Sequence, residues 1–361
     1  MKKRISNTGV FTLLVFTAGT LQPAAAQDEI SKTYHKEYAV DNQTTLVISN
    51  KYGDVNFEDW DKNAIEIDVK ISVDLPDRER AQKMLDYLDV EFSQAGSRIE
   101  ATTTIDNRFS RSGWNRWGKE GKKFSIDYTI HAPASIDAEL MNKYGDTFVS
   151  KISGHALLSV KYGNLKVNKL TRADAKPLNI IVIGYGKGVI DEAKWLKLDM
   201  KYSKLEIGKA QALAGETAYS KLTIDELSSL VAESKYDTYK LGTVKNLILD
   251  IAYGHVSANK VTAKVSVESR YTGINIEHIP AGFKSIKIDN KYGSISLGID
   301  EDASYKLKAE AQYCKISVPE SSQLSRIVEN TSSTYSGIVG KQQNPSSTVS
   351  IETRYGSVKL Y

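Results

Sequence analysis

Residues 198–224 read LDMKYSKLEIGKAQALAGETAYSKLTI and contain two copies of one short repeat. Each copy places a tyrosine, Tyr202 or Tyr219, before a small residue. From Tyr185 to Tyr253 the spacing is 17 residues four times in succession, and elsewhere after Tyr144 it is 18 to 23 residues. Thirteen of the 20 tyrosines share this register: Tyr52, Tyr144, Tyr162, Tyr185, Tyr202, Tyr219, Tyr236, Tyr253, Tyr271, Tyr292, Tyr313, Tyr335 and Tyr355.

Apolar residues flank each tyrosine at fixed distances. The fourth and sixth residues before it are usually apolar, as Leu198 and Leu196 are before Tyr202. Alternation with a period of two indicates a strand with one buried face. Apolar residues return three and five places after the tyrosine, and this shift in parity indicates a corner. The sequence therefore predicts an all-β fold, a single-chain parallel β-solenoid of about 13 short rungs.

The tyrosines have the same parity as the inward-facing leucines, so we expect them to form a stacked ladder at a corner of the core. The alternative is an outward aromatic stripe that binds glycans. The residue two places before the tyrosine has the same parity and is often Asn, Ser or Thr, as Asn50 and Asn142 are. Such residues can form hydrogen-bonded ladders between identical rungs.

One segment near the N-terminus breaks the repeat, because no copy of the motif lies between Tyr52 and Tyr144. Residues 77–88 (DRERAQKMLDYL) have helical composition, and the stretches on either side alternate as strands. The sequence thus predicts first solenoid rungs in residues 27–60, a small α+β insertion or cap in residues 61–135, and the tyrosine-repeat solenoid in residues 136–361. A cap would protect the end rungs from edge-to-edge association.

Within this segment, residues 106–123 (DNRFSRSGWNRWGKEGKK) combine cations with aromatic residues. Exposed aromatic rings beside cations suit contact with a glycan, an anionic polymer or a membrane headgroup. The alternative is a solvated loop whose tryptophans cover the rung below. The candidate ligand-binding residues are Trp114, Trp117, Arg108, Arg111 and Arg116.

The first 26 residues have the pattern of a secretory signal peptide. Lys2, Lys3 and Arg4 precede a short apolar stretch, and three alanines ending at Ala26 form a cleavage site. Cleavage leaves 45 basic and 44 acidic side chains, which argues against nucleic-acid binding. We expect an exported protein of the periplasm, the outer-membrane surface or the medium. No later stretch is long and apolar enough to span a bilayer.

No motif for catalysis or for metal or cofactor binding is found in the sequence. The single cysteine, Cys314, is expected to be a small buried or turn residue. The five histidines lack metal-ligand spacing, and the sequence contains no nucleophile elbow, phosphate loop or dinucleotide fingerprint. No acidic position was found to recur in register apart from Asp54 and Asp146, which are expected to serve turns. We expect no enzyme, no metal and no cofactor.

The stretch YAVDNQTTLVISNKYGDVNFEDWDKNAIEIDV, residues 38–69, resembles the secreted bacterial putative-adhesin family of β-solenoid domains, as do the later NKYG and RYGS copies. The resemblance covers Tyr38–Val69 and residues from Asp137 onward, and implies a β-solenoid of unknown function without catalytic residues to transfer.

The leading hypothesis is a non-enzymatic, adhesin-like scaffold of the cell envelope or surface. It would bind an envelope protein or a glycan through its solenoid face or the Trp/Arg loop. The alternatives are a carbohydrate-active enzyme on a β-helix and a periplasmic accessory to envelope signalling.

Overall fold

The computed structural model describes residues 29–41, 43–111, 124–172, 177–319 and 322–361. The expected signal peptide and the tryptophans of the 106–123 loop lie outside these residues. The described part contains 26 strands and two helices. Every strand joins one continuous hydrogen-bonded sheet that winds into a two-faced solenoid, which confirms the predicted fold class.

The N-terminal elements are β1 Ile30–Ala39, β2 Thr45–Lys51, β3 Val55–Trp60, β4 Ala64–Val73, α1 Arg78–Leu85, β5 Leu88–Ala95, β6 Arg98–Ile105, α2 Asn107–Arg111 and β7 Phe124–Pro133. The next rungs are β8 Asp137–Lys143, β9 Thr147–Ile152, β10 Ala156–Lys161, β11 Asn164–Leu170 and β12 Asn179–Gly184.

The central strands are longer: β13 Lys187–Lys201, β14 Lys204–Ala218, β15 Lys221–Lys235, β16 Thr238–Ala252 and β17 His255–Arg270. The C-terminal strands are β18 Gly273–Ile279, β19 Ser285–Lys291, β20 Ser294–Ile299, β21 Tyr305–Gln312, β22 Lys315–Ser317, β23 Ser322–Glu329, β24 Ser332–Val339, β25 Ser347–Arg354 and β26 Ser357–Leu360.

Each rung consists of a strand before the tyrosine, a corner at the tyrosine and a strand after it. The strands before the tyrosines stack in parallel as sheet A, and the strands after them stack as sheet B. The central strands β13–β17 run through the second corner without a break, so each contributes to both sheets. The alternating apolar residues of both sheets meet between them and form the core, as Leu198 and Ile207 do.

At the N-terminal end, spatial order differs from sequence order. Strands β6 and β7 pair in parallel with β2 and β3, so they form a rung on the outer side of the first tyrosine rung. Strands β4 and β5 then pair antiparallel with β7 and β6, and β1 pairs antiparallel with β4. Helix α1 begins after Asp77, whose carboxylate accepts a hydrogen bond from the Arg80 N–H at 3.1 Å, and it buries Ala81, Met84 and Leu85.

At the C-terminal end, the last segment of the chain is inserted between earlier rungs. Strand β25 pairs in parallel with β19 on one side and with β21 on the other. Strand β26 likewise lies between β20 and β22. The hairpin β23–β24 then covers the edge, because β24 pairs antiparallel with β21. The N-terminal end and the sheet A side of the C-terminal end thus finish in antiparallel strands, which disfavour continuation of the parallel stack by another chain. On the sheet B side of the C-terminal end the last strand is β22, which is three residues long and parallel to β26.

Candidate functional site

Twelve tyrosines form the first corner of twelve successive rungs in the left-handed backbone region. Their φ angles lie between 51° and 70°, and Asn330 is the only other non-glycine residue of the described chain with a positive φ. This conformation costs a residue with a β-carbon roughly 1–2 kcal/mol. Repeating it twelve times therefore requires compensating contacts at each corner.

The residue after the tyrosine lies close to the backbone of the neighbouring rung, and in several corners it is glycine. A β-carbon added to Gly163 would lie 1.9 Å from the Gly145 carbonyl oxygen, and one added to Gly145 would lie 1.8 Å from the Gly53 carbonyl oxygen. Where this residue is not glycine, its side chain bonds to the corner itself. The Ser203 and Ser220 hydroxyls each donate to the carbonyl two residues earlier at 2.8 Å.

Cys314 occupies the same corner position as Ser203. Its Sγ lies 3.3 Å from the Gln312 carbonyl oxygen and the residue is half-buried. The cysteine is therefore a turn residue, one of the two roles expected from the sequence.

The inward residue two places before the tyrosine fixes the corner from inside. The Asn142 amide is buried and donates to the Gly53 carbonyl at 3.0 Å and the Asp146 carbonyl at 2.9 Å. At the Tyr236 corner, Asp237 is buried and accepts hydrogen bonds from the Thr217 and Ser234 hydroxyls at 2.7 and 2.6 Å. These bonds satisfy polar groups that would otherwise be buried without partners.

The same Thr217 hydroxyl lies 2.6 Å from the hydroxyl of Tyr239, and burial raises the pKa of Tyr239 to about 12. Tyr239 is therefore a core residue, distinct from the corner tyrosines.

The corner tyrosine rings stack face to face in one unbroken row, here called the tyrosine stripe. Eleven consecutive ring pairs have centroid distances of 4.7–5.1 Å and interplanar angles of 1–19°. The stripe is thus about 54 Å long. At its C-terminal end the order is Tyr292, Tyr355, Tyr313, because the last rung is inserted.

The prediction that these rings line the core is wrong. Ten of the twelve are 45–53% exposed, and Tyr52 and Tyr144 are half-buried. The parity argument fails because it holds only while the backbone stays in the β region. A left-handed residue between two strands reverses the direction of its own side chain, so each ring points to solvent.

Tyr335 does not belong to the stripe. It lies in β24, where it pairs antiparallel with Ala309 of β21, and the Arg326 guanidinium lies 5.5 Å from its ring centroid. The TYSGI sequence around it resembles a corner, yet this segment folds as the covering hairpin. Its membership of the predicted ladder is therefore wrong.

The stacking limits what the stripe can bind. Each inner ring has both faces covered by its neighbours, so a sugar or a base cannot stack on it. The exposed parts are the ring edges and hydroxyl groups. Within the described part of the chain these twelve hydroxyls have no hydrogen-bond partner. The stripe therefore presents a continuous row of hydroxyl groups on rings whose centroids lie about 4.9 Å apart.

A groove follows the sheet B side of the stripe. One section, of about 750 Å³, is lined by corner residues from Asn164 to Tyr236, and the adjoining section of about 610 Å³ shares Asn164 and Lys187 with it. Lys187, Lys204 and Lys221 lie side by side on consecutive rungs of this groove. None of the three has an ion-pair partner among the residues that the structure describes.

Asp54 and Asp146 lie at the N-terminal end of this groove and serve the turns, as expected. The Asp54 carboxylate accepts a hydrogen bond from the Asp146 N–H, and the Asp146 carboxylate accepts one from the Asn164 N–H, each at 2.8 Å. Because these carboxylates are engaged with the backbone of the next rung, the cationic section begins at Lys187.

An acidic row on the outer face of sheet A was missed in the sequence. The residue three places before the tyrosine is a carboxylate in eight consecutive rungs, and register pairing aligns these residues directly. The expectation that no acidic position recurs, apart from Asp54 and Asp146, is therefore wrong. This acidic column consists of Asp199, Glu216, Glu233, Asp250, Glu268, Asp289, Glu352 and Glu310.

A basic column runs beside it, between the acidic column and the stripe. It is formed by the residue immediately before the tyrosine, which shares the outward face of sheet A. Counting back one and three residues from each tyrosine would have found both columns. The basic column consists of Lys51, Lys143, Lys161, Lys201, Lys235, Arg270, Lys291 and Arg354.

The Trp/Arg loop leaves the solenoid at the end of the stripe. It connects β6 to β7, the position that a tyrosine corner takes in the other rungs. Phe124 packs edge-on against Tyr52 at 5.3 Å, and Phe109 packs against Phe124 at 5.4 Å. Of the candidate binding residues, Arg108 forms an ion pair with Asp106 at 2.6 Å, whereas Trp114, Arg116 and Trp117 lie outside the described residues, as does the Arg111 side chain.

Neither a metal cluster nor a membrane-spanning helix is found in the described ranges. No group of three or more His, Cys, Asp or Glu side chains there is arranged to hold a metal ion. The two helices there are too short to cross a membrane. His131 lies 3.6 Å from Glu58 and 3.4 Å from Glu66, and the Trp60 ring stacks on it.

The architecture defines a parallel β-solenoid with a regular outer surface. Residues 196–361 match the family model described as Toastrack DUF4097. The resemblance to the putative-adhesin family of unknown function, inferred from the repeat, is confirmed.

Solved structures with similar chains include three bacterial proteins. A putative adhesin from Bacteroides fragilis is 10% identical, with a TM-score of 0.29, over 91% of this chain and 97% of that one. A putative lipid binding protein from Parabacteroides distasonis is 11% identical, with a TM-score of 0.34, over 91% and 96%. A putative cell adhesion protein from Clostridium sporogenes is 12% identical, with a TM-score of 0.17, over 91% and 99%. No curated protein matches the sequence.

Proposed function

We propose that this chain is an exported, non-enzymatic binding scaffold of the cell envelope or surface, which holds a linear anionic glycan along the tyrosine stripe. The observation that supports this most is the row of tyrosine hydroxyls beside the groove lysines, because neither set has a hydrogen-bond or ion-pair partner among the described residues. In this proposal residues 61–135 cap one end, and residues 27–60 and 136–361 supply the binding surface.

The charge of the groove favours an anionic ligand. Lys187, Lys204 and Lys221 lie about 4.8 Å apart from rung to rung, so their charges repel one another. An anion placed between them removes this repulsion, and each ammonium group offers three hydrogen-bond donors. Carboxylate or sulfate groups spaced along a chain would meet this requirement.

The shape of the surface favours an extended polymer. The stripe repeats one chemical group at a regular spacing, so a ligand with its own linear repeat can make the same contact many times. Nucleic acid fits less well because single-stranded binding relies on open aromatic faces, which the stacked tyrosines lack. A neutral glycan that stacks on aromatic faces is disfavoured for the same reason.

Binding of polymers of defined charge tests the proposal. Polygalacturonate and dextran sulfate should bind the mature chain, and uncharged dextran of equal length should not. Affinity should fall with salt and rise with oligomer length, because longer chains meet more lysines. The triple variant Lys187→Glu, Lys204→Glu, Lys221→Glu should weaken binding at least tenfold.

A matched triple variant controls for total charge. Lys245→Glu, Lys264→Glu and Lys284→Glu lie near the second corner, away from the stripe, and should leave binding unchanged. Equal losses in both triple variants would show non-specific attraction and would contradict the proposal. So would tight binding of dextran.

The competing function is a carbohydrate-active enzyme. Neighbouring carboxylates of the acidic column are one rung apart, close to the separation of about 5–5.5 Å in retaining glycosidases. They lie, however, on an open sheet face outside the described groove. Release of reducing ends from a bound polymer, abolished by Glu233→Gln, would favour the enzyme over the scaffold.

A further inference from the structure

The acidic and basic columns lie side by side on the outer face of sheet A, on the opposite side of the stripe from the groove. We propose that two copies of this chain associate through these columns, side by side and pointing in the same direction. This inference goes beyond the proposed glycan binding and does not depend on it.

The isolated chain leaves most of the acidic column without an ion pair. Glu310 pairs with Lys308 at 2.9 Å, and the other seven carboxylates have no cation within ion-pair distance among the described residues. Like charges directly opposite one another on neighbouring strands destabilise a sheet. A cationic surface of the same pitch would turn this repulsion into attraction.

The chain itself carries such a surface. In five rungs the carboxylate is followed two residues later by a cation on the same face, as in Asp199 with Lys201 and Glu233 with Lys235. A two-fold axis between the two columns and parallel to the solenoid places the acid of each of these five rungs opposite the base of the same rung in the other copy. Turning one copy end to end would place acids opposite acids. The parallel arrangement is therefore favoured.

The size of this face is sufficient for a specific interface. Eight rungs at about 4.8 Å give a length of roughly 38 Å, and six outer-strand residues give a width of roughly 20 Å. The resulting area of about 760 Å² per copy is close to that of a standard protein interface. Val231, 46% exposed, and Ile248 lie in the next outward column and add apolar contact.

A second copy of this chain could neutralise charges of both columns, whereas the other partners considered could neutralise only one column. A basic polymer would neutralise the acidic column and be repelled by the basic column. Divalent ions would leave the basic column unpaired, and the described carboxylates form no metal-binding cluster. A second copy of this chain pairs the acid and the base of five of the eight rungs, whereas Ala218, Ala252 and Gln312 take the place of the base in the other three.

Sedimentation of the mature chain tests the association. We expect a dimer at tens of micromolar protein in 20 mM salt. At 500 mM salt the affinity between the two copies should be at least tenfold weaker, because salt screens the charges. A chain that stays monomeric at 100 µM in low salt would overturn the proposal. The groove variant Lys187→Glu, Lys204→Glu, Lys221→Glu should still dimerise, which separates this result from glycan binding.

Charge exchange tests the pairing itself. Glu233→Lys, Glu268→Lys, Asp289→Lys makes the face positive, and Lys235→Glu, Arg270→Glu, Lys291→Glu makes it negative. Each triple variant alone should be monomeric, and a mixture of the two should give heterodimers.

The chain with all six exchanges has the wild-type composition of charges and should dimerise again, because each of the three exchanged rungs still holds one acid and one base. Thermal unfolding of each variant controls for folding. A six-exchange chain that folds and remains monomeric would overturn the proposed register.

Discussion

The central rungs and the C-terminal end of the solenoid are built from the same corner but assembled in different orders. From Tyr185 to Tyr253 each rung pairs with the rungs that precede and follow it in sequence, over 13 residue pairs in register between neighbouring strands. At the C-terminal end, β25 and β26 enter between rungs that come earlier in the chain. The centre can therefore grow by addition, whereas the end is complete only when the last residues arrive.

The two regions therefore differ in the sequence separation of the strands that pair. A central rung closes loops of about 17 residues, but the pairing of β19 with β25 closes one of about 60. We therefore expect the centre to behave as a repeat array, with stability shared between neighbours, and the end to behave as one cooperative unit.

Removal of residues 342–361 should have the largest effect. It deletes β25 and β26, so β19 and β21 lose the strand between them, together with four buried aliphatic side chains: Val349, Ile351, Val358 and Leu360. Limited proteolysis and hydrogen exchange should show residues 294–341 unfolded and β13–β16 still protected. A chain ending at Leu360 is the control, because it keeps both strands. Unchanged protection of β21 in the truncated chain would show that the inserted rung is dispensable.

Substitution of a corner glycine should have the next largest effect on stability, because the backbones of neighbouring rungs approach closely there. Gly163→Ala places a β-carbon 1.9 Å from the Gly145 carbonyl oxygen, so the rungs must separate. We expect a loss of about 3 kcal/mol in the free energy of unfolding, measured by urea denaturation.

Ser203→Ala is the matched change at a corner without glycine. It removes the hydrogen bond from Ser203 Oγ to the Lys201 carbonyl at 2.8 Å, together with longer ones to the Ile183 carbonyl and from the Gly186 N–H, and should cost about 1 kcal/mol. Equal costs for the two substitutions would mean that the corners tolerate a wider rung spacing than the structure shows.

Substitution of a central tyrosine separates stacking from backbone conformation. Tyr219→Ala loses the stacking of both neighbours and keeps a left-handed residue, φ 53°, so it should cost about 2 kcal/mol. Tyr219→Gly loses the same contacts but adopts this conformation freely, and should cost about 1 kcal/mol less than the alanine variant. Thermal unfolding of both variants measures the difference. Identical stabilities would show that the backbone at the corner is unstrained.

The smallest expected effect on stability is a pH dependence at the N-terminal end, where β1 pairs with β4. The Asp68 carboxylate lies 2.7 Å from His35 Nδ1, and this hydrogen bond raises the pKa of His35. The folded chain therefore holds this proton more tightly than the unfolded chain. The stabilisation is present below about pH 6.5 and is lost as the pH rises through the raised pKa.

An NMR titration of His35 measures this shift directly. In Asp68→Asn the pKa should return towards the ordinary value of histidine, because the carboxylate supplies the main interaction. An unchanged titration in this variant would exclude the Asp68 contact in solution.

The fold could be predicted because the repeat is long and its signals agree. Alternating apolar residues around Tyr202 and Tyr219 defined two strands, and the change of parity defined the corner between them. The helix predicted within residues 77–88 is α1, which buries Met84 and Leu85. In each case a local pattern and a local structure have the same period.

The orientation of the tyrosines and the order of the end rungs could not be predicted in this way. Side-chain parity assumes β backbone, and the left-handed corner at Tyr202 violates that assumption. Tyr335 matched the motif, but pairing with β21 decided its structure. The insertion of β25 depends on contacts some 60 residues apart, which a repeat pattern does not encode. The acidic column was readable from the sequence and was missed because acidic residues were not counted relative to each tyrosine.

The left-handed corner keeps the spacing between successive tyrosine rings constant. Repeats of 17 and of 23 residues, such as those before Tyr202 and Tyr185, give the same ring spacing of 4.9 Å. Extra residues are accommodated away from the tyrosine corner, in connections such as residues 280–284 between β18 and β19. The ring-to-ring distance along the stripe is thus independent of repeat length. Duplicating one 17-residue unit would add one tyrosine ring at the same distance from its neighbours.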